Sequence, residues 1–202
     1  MTKGLLLVIS GPAGSGKGTV NAHLLATGNF AYSVSATTRA PRPGEVNGVN
    51  YHFITREEFQ RRIAEGDMLE YTEYCGNLYG TPRKEAQAVL DEGKNLILEI
   101  ETDGAAQVKE KFPDAVLILL LPPSYRVQEQ RLRGRGTETE EKILERLART
   151  KEEVALFATY DYVVYNEDHM DARCAEDILA IIRAEHRSIK RSGDVAARYF
   201  AD

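Results

Sequence analysis

Cysteine is scarce. Cys75 and Cys174 lie far apart in 202 residues, which predicts neither a disulfide framework nor a zinc site and points to a reducing cytoplasm. Long apolar runs are missing too. No stretch approaches the ~20 residues of a membrane span, and the amino-terminal MTKGLLLVISG lacks a signal-peptide cleavage pattern and reads as a first core strand. The four histidines, His23, His52, His169 and His186, are scattered and take no role, and no Ser-His-Asp or Cys-His constellation can be read. A basic excess is absent as well. The net charge of −5 argues against a general nucleic-acid binder, so local basic clusters need a local explanation. Neither a nucleic acid nor a membrane is expected as a partner. No repeat or low-complexity segment interrupts what reads as one domain over 1–202.

What is present alternates between strands and helices. LLLVIS (5–10), AYSVS (31–35), LILEIE (96–101), VLILLL (116–121) and YVVYN (162–166) read as strands. Three are nearly unbroken apolar runs, as buried strands of a parallel sheet require. Helical patterns fall at about 17–27, 82–93, 103–111, 124–133, 138–159 and 171–192. The fold class is therefore α/β, a parallel-sheet core flanked by helices. Two stretches break the rhythm. Residues 36–81 carry turn chemistry between short aromatic segments and predict a small mixed β insertion with a helix near 56–65. RGRGT (133–137) breaks two helices apart, and Thr137 with Glu140 forms a T-x-x-E capping box for the second.

The chemistry begins at GPAGSGKGT, residues 11–19, between a hydrophobic strand and a helix. Gly11, Gly14 and Gly16 let the amides of Ala13, Gly14, Ser15 and Gly16, which follow Pro12, turn inward, and the helix start adds its positive end. Lys17 supplies a mobile charge for outer phosphates. Gly18 stands where the motif expects a hydroxyl. Thr19 follows and could touch Mg²⁺, or the metal could be held mainly by phosphates and water. This arrangement predicts a nucleoside triphosphate site.

A second anion site is suggested by TTRAPRPGE. Prolines push Ala40 and Arg42 toward extended geometry, and near-polyproline spacing projects Arg39 and Arg42 from one side as a two-pronged phosphate clamp. Tyr51 and Tyr79 could add phenolic donors. Further on, six arginines lie between 126 and 149 (Arg126, Arg131, Arg133, Arg135, Arg146, Arg149). Most read as a solvated helix with i,i+4 ion pairs. Arg135 sits in the glycine hinge instead.

VSATTRAPRPGEVNGVNYHF, LEY, NLYGTP, LILEIE and GRGTETEEKILERL, in this order behind a phosphate loop, resemble the guanylate kinase family over residues 5–190. The resemblance implies transfer of the ATP γ-phosphate to GMP, and to dGMP as a second acceptor, with Mg²⁺. It implies a GMP-binding region at 36–81, a lid at 133–150 and a core of 1–35, 82–132 and 151–202. Ser35, Glu70, Thr81 and Glu101 would line the guanine pocket, and Arg39, Arg42, Tyr51 and Tyr79 would hold the GMP phosphate. Glu101 replaces an aspartate, and Glu99, two residues earlier on the same strand face, could share its role. Ala13 replaces a usual serine. Arg135 and Arg146 would close over the triphosphate, and Asn166 would contact adenine or cap a turn. Guanine's adjacent N1–H and N2–H₂ donors match a carboxylate such as Glu70. Three alternatives stand beside this reading. A non-catalytic module of the family would lose the lysine and glycines kept here, and a GTPase switch needs an N-K-x-D reader that YNED (165–168) does not supply. The third is a kinase for another monophosphate. Oligomeric state is left open.

Overall fold

The computed structural model describes residues 3–74, 76–100, 102–134, 136 and 139–201. The chain opens on β1 (Leu6–Ser10), turns through the glycine loop into α1 (Lys17–Ala26), and continues through β2 (Phe30–Tyr32), β3 (Ala36–Thr37) and β4 (His52–Phe53). Next come α2 (Arg56–Ala64), β5 (Met68–Tyr74), β6 (Asn77–Pro82), α3 (Arg83–Asp91), β7 (Asn95–Leu98) and α4 (Thr102–Lys111). The remainder is β8 (Val116–Leu121), α5 (Tyr125–Gly134), α6 (Glu140–Glu153), β9 (Tyr162–Tyr165), α7 (Asp171–Glu185) and a short α8 (Val195–Tyr199).

Five strands form one parallel sheet in the order β2-β7-β1-β8-β9. Its side chains divide by the two-residue period of a strand. Leu7, Ile9, Ile118 and Leu120 pack with Val20 and Leu24 of α1 and Cys174, Ile178 and Ile182 of α7. Leu6, Val8, Leu96, Leu98 and Leu117 pack on the other face with Leu90 of α3 and Val108 of α4. Burial on both faces explains why these strands are apolar without alternation. The chain leaves β1 toward β2 on one side and leaves the adjacent β7 across β1 toward β8 on the other, so the glycine loop at the carboxyl end of β1 opens at the topological switch point, where α/β sheets hold ligands.

The predicted mixed insertion is a four-stranded sheet ordered β4-β3-β6-β5, with β3–β4 parallel and the other pairs antiparallel. Thr55 caps α2, its side chain accepting from the Glu58 amide at 3.1 Å. That fixes the helix so that Phe59 drops among Ala36, Met68 and Leu78.

Several boundaries differ from the sequence reading. β2 ends at Tyr32 rather than 35, because residues 33–35 carry the chain from the edge of one sheet to the other; the Ser33 amide makes the last ladder bond, to Ile97 O at 3.0 Å. β7 ends at Leu98, where the acidic segment of the site begins. α6 stops at Glu153 and tightens into a 3₁₀ stretch over Val154–Thr159, a common way for a helix to finish. α7 ends at Glu185, before a 3₁₀ turn at Ile189–Arg191. Thr139 occupies the N-cap of α6; Thr137, expected there, lies outside the described residues, as do Cys75, Glu101 and Arg135.

Candidate active site

The loop from Gly11 to Gly16 leaves β1 and enters α1 with Gly16 at φ 89°, a left-handed start that favours glycine. A Cβ there would also sit 2.3 Å from Asn166 Nδ2. Asn166, at the end of β9, donates that nitrogen to Ser15 O at 2.9 Å and so fastens the far edge of the sheet to the loop. Lys17 Nζ folds back onto Gly11 O at 2.5 Å and Pro12 O at 3.4 Å. Ser15 Oγ is buried without a hydrogen-bond partner among the described residues. An orphaned hydroxyl inside a ring of inward amides suits phosphate oxygens, which would accept from it. Gly18 and Thr19 are exposed on the first turn of α1. A cavity of about 390 Å³ runs from Gly14, Gly16 and Thr19 past Arg131 to Asn166 and Glu167.

Arg131 corrects the expectation of a solvated helix arginine. It reaches back from α5 to donate to Gly14 O at 3.3 Å and Asn166 O at 2.7 Å, and it pairs with Asp168 at 2.7 Å. Its place near the end of α5, beside the loop, turns it inward. Arg133 and Arg149 do form the predicted i,i+4 pairs, with Glu129 and Glu153.

On the small sheet, Pro43 and Gly44 make a turn closed by the Glu45 amide donating to Arg42 O at 3.0 Å, with Gly44 at φ 87° as a type II turn requires. The turn brings the Glu45 carboxylate onto both clamp arginines. Arg39 donates to it in bidentate fashion at 2.8 and 3.0 Å, and the Arg42 amide donates at 2.7 Å. These bonds hold the Glu45 carboxyl below the usual carboxylate range. Arg39 also lies over the rings of Tyr51 (5.5 Å) and Phe53 (5.7 Å), and Tyr51 meets Tyr79 edge-on at 6.1 Å. The structure thus gathers Arg39, Tyr51 and Tyr79, while Arg42 is exposed at the rim. Glu45 was overlooked although it stands in the same motif; a carboxylate three residues past Arg42 across a Pro-Gly turn was the available signal.

Glu70 sits where the β5–β6 register shifts, 3% exposed, accepting from the Thr81 hydroxyl at 2.8 Å. Its second oxygen faces Gly104 in α4, where an added Cβ would lie 3.3 Å away. Burial raises its pKa, and the Thr81 bonds and Lys111 only partly oppose this. Burial wins because the carboxylate has exchanged water for one hydroxyl and one amide. The folded chain then holds a proton at pH values where the unfolded chain has lost it, so stability from this group falls as pH rises through that window. Glu70→Gln accordingly raises the ligand-free thermal midpoint at pH 7 by about 2–4 °C, and the gain vanishes below the ordinary carboxylate range. Thermal melts at pH 7 and pH 4 check this, and an unchanged or lower midpoint at pH 7 refutes it.

Ser35 lies between the two sheets, its carbonyl accepting from the His52 amide at 2.8 Å. Glu99, just past β7, accepts from Tyr32 OH at 2.8 Å and Asn21 Nδ2 at 3.3 Å. Burial, with Glu99 beside it, pushes the Tyr32 phenol well up. Neither Tyr32 nor Asn21 was read from sequence. Arg146 is on α6 beside Leu147, whose side chain packs with Leu132, Ile143 and Ala13. Cys174 is buried, and burial pushes its thiol up to about 12, which removes it as a nucleophile.

The donor set for a divalent cation is thin. Gly18 offers no hydroxyl, Thr19 offers one, and the described residues hold no group of three His, Cys, Asp or Glu side chains arranged for a metal. That fits a cation carried chiefly by phosphate oxygens rather than a resident metal centre. No described helix is long and apolar enough to cross a membrane.

A family model described as guanylate kinase matches residues 3–185. The guanylate kinase of Streptococcus agalactiae serotype III (strain NEM316) is 52% identical over 199 residues, 98% of this chain and 93% of the relative. That of Lactococcus lactis subsp. lactis (strain IL1403) is 52% identical over 190 residues, covering 94% and 92%. Among solved structures, guanylate kinase from Anaplasma phagocytophilum matches with a TM-score of 0.74 at 34% identity, covering 97% of this chain and 93% of that one.

Proposed function

The chain belongs to the guanylate kinase family, whose members move the γ-phosphate of ATP to GMP, and we propose how its own residues divide that work. The cradle of residues 11–16 holds the triphosphate, with Lys17 swinging from the Gly11 carbonyl onto its outer oxygens. The adenosine end occupies the cavity between Asn166 and Arg131. Arg39 and Arg42 take the GMP phosphate with Tyr51 and Tyr79. Glu70, Thr81 and Ser35 read guanine, and Glu99 or Glu101 completes that wall. Residues 36–81 and the lid 133–150 close over the core, bringing Arg135 and Arg146 onto the transferring group. The reaction takes place in the cytoplasm.

An oxygen of the acceptor phosphate attacks the γ-phosphorus, and the bond to the β,γ-bridging oxygen breaks, leaving ADP and GDP. No general base is needed, since the acceptor is largely dianionic at neutral pH. The protein's task is to align and to neutralise, which lysine and arginines accomplish. Thr19 would hold Mg²⁺ beside the phosphates, where the metal supplies further neutralisation. Closure excludes water that would otherwise consume ATP.

One observation carries the base assignment: a buried carboxylate on the inserted sheet, already accepting from one hydroxyl, whose second oxygen faces Gly104 at the start of α4. Coupled-assay rates with GMP, dGMP, AMP and UMP test it. GMP and dGMP are turned over and AMP and UMP are rejected; equal rates with AMP would reassign Glu70. Turnover of ATP with GMP also separates the enzyme from a binding module, and GTP hydrolysis without acceptor would instead signal a switch.

Glu45 sets the acceptor clamp. Glu45→Gln keeps an oxygen for the Arg42 amide but loses the ionised fork for Arg39, so KM for GMP rises about tenfold while kcat and KM for ATP hold. Steady-state kinetics with each substrate varied reads this, and an unchanged KM for GMP removes Glu45 from the site.

A further inference from the structure

Gln128 of α5 is 1% exposed, and its amide nitrogen donates in two directions. One bond runs to Ala13 O in the phosphate loop at 3.0 Å, the other to Thr150 Oγ1 on α6 at 2.8 Å. Thr150, itself buried, donates its hydroxyl to Arg146 O at 3.0 Å, one turn back along the same helix. The directions are forced. Turned over, the amide would set its oxygen against the Ala13 carbonyl; with nitrogen toward Thr150, the hydroxyl hydrogen is left for Arg146 O. Leu132, Ile143 and Leu147 wall this joint, and the Ala13 methyl packs against them. In such apolar surroundings each bond is strong, and a removed partner leaves a buried polar atom unmatched.

The chain of bonds Ala13–Gln128–Thr150–Arg146 therefore links the donor cradle to the backbone that bears Arg146. We propose that Gln128 and Thr150 are positioning residues that hold α6 in register with the phosphate loop, so that Arg146 and the loop amides address the same phosphate. The inference rests on the role given to Arg146 above. Ala13 fits it, since a serine hydroxyl there would need a polar partner within the cluster. Packing alone does not call for this pair, because apolar side chains at both positions could fill the same cluster, leaving only the Ala13 carbonyl without its donor. What the polar joint adds is direction: two amide protons and one hydroxyl accept only one relative placement of three elements.

The test compares Gln128→Leu, Thr150→Val, Thr150→Ser, the Gln128→Leu/Thr150→Val double variant and Arg146→Ala in steady-state assays with ATP and GMP, alongside thermal melts. Gln128→Leu and Thr150→Val each lower kcat about tenfold with KM for GMP within about twofold, as expected when only transition-state alignment is lost. Thr150→Ser, which keeps the hydroxyl, restores kcat to within about twofold of the parent, and the double variant is no slower than Gln128→Leu alone. If the leucine and valine variants keep the parent kcat while Arg146→Ala loses activity, the joint is structural only and the role of Arg146 stands. If Arg146→Ala itself keeps the parent kcat, that role fails and the positioning inference falls with it. Should Gln128→Leu not fold, the valine–serine contrast at Thr150 decides the matter alone.

Discussion

Glu70→Gln lowers kcat/KM for GMP about 10³-fold and erases most of the preference for GMP over AMP. The expectation follows from valence rather than size, because glutamine has nearly the same volume. Its amide keeps one oxygen for the Thr81 hydroxyl, which now donates at 2.8 Å, and so turns an NH₂ toward guanine's own N–H donors. Two donors then face each other in a pocket where the residue is 3% exposed, and neither can turn to water. AMP lacks that donor pair and gains relative to GMP. Coupled assays over both acceptors measure the ratio; a variant that keeps the parent preference refutes guanine reading by this residue. The same substitution stabilises the empty fold, so the ionised carboxylate is a place where function and stability pull apart.

Lys17→Met lowers kcat about 10³-fold while leaving KM for GMP within about twofold. In the free protein the ammonium group lies against the carbonyls of Gly11 and Pro12. A triphosphate offers full negative charge at the same spot, and negative charge that moves toward the β,γ-bridge during transfer holds the lysine more tightly than the ground state does. Methionine matches the stem and omits the charge, so the loss reports electrostatics and not packing. Single-turnover measurement at saturating ATP is the decisive readout; a variant within tenfold of the parent would remove Lys17 from the chemistry.

How much was visible beforehand depends on how far apart in the chain the cooperating residues lie. VLILLL became β8 with the predicted bounds, because six apolar residues flanked by Asp114-Ala115 and Pro122-Pro123 leave no other reading. The glycine loop was equally plain, being a local motif whose neighbours are its own amides. The two-residue strands β3 and β4 could be foreseen only as a region, since elements that short carry no period. Glu45 was within reach of local reasoning and was overlooked. Gln128 and Arg131 were not within reach. Their partners Ala13 and Gly14 lie 115 and 117 residues away, and only the return of α5 to the carboxyl edge of the sheet brings them together.

The middle strand of the large sheet has a consequence for how the chain is made. β1 is synthesised well before the strands it pairs with, Leu6 meeting Leu96 and Leu7 meeting Val116. A nascent chain that has emerged to residue 90 presents Leu6 to Ser10 with both edges unsatisfied, and closing loops of that length is slow. Nucleotide affinity thus waits on later translation: residues 11–17 contain the phosphate cradle and, without the strands at 95–98 and 116–121, cannot assemble it.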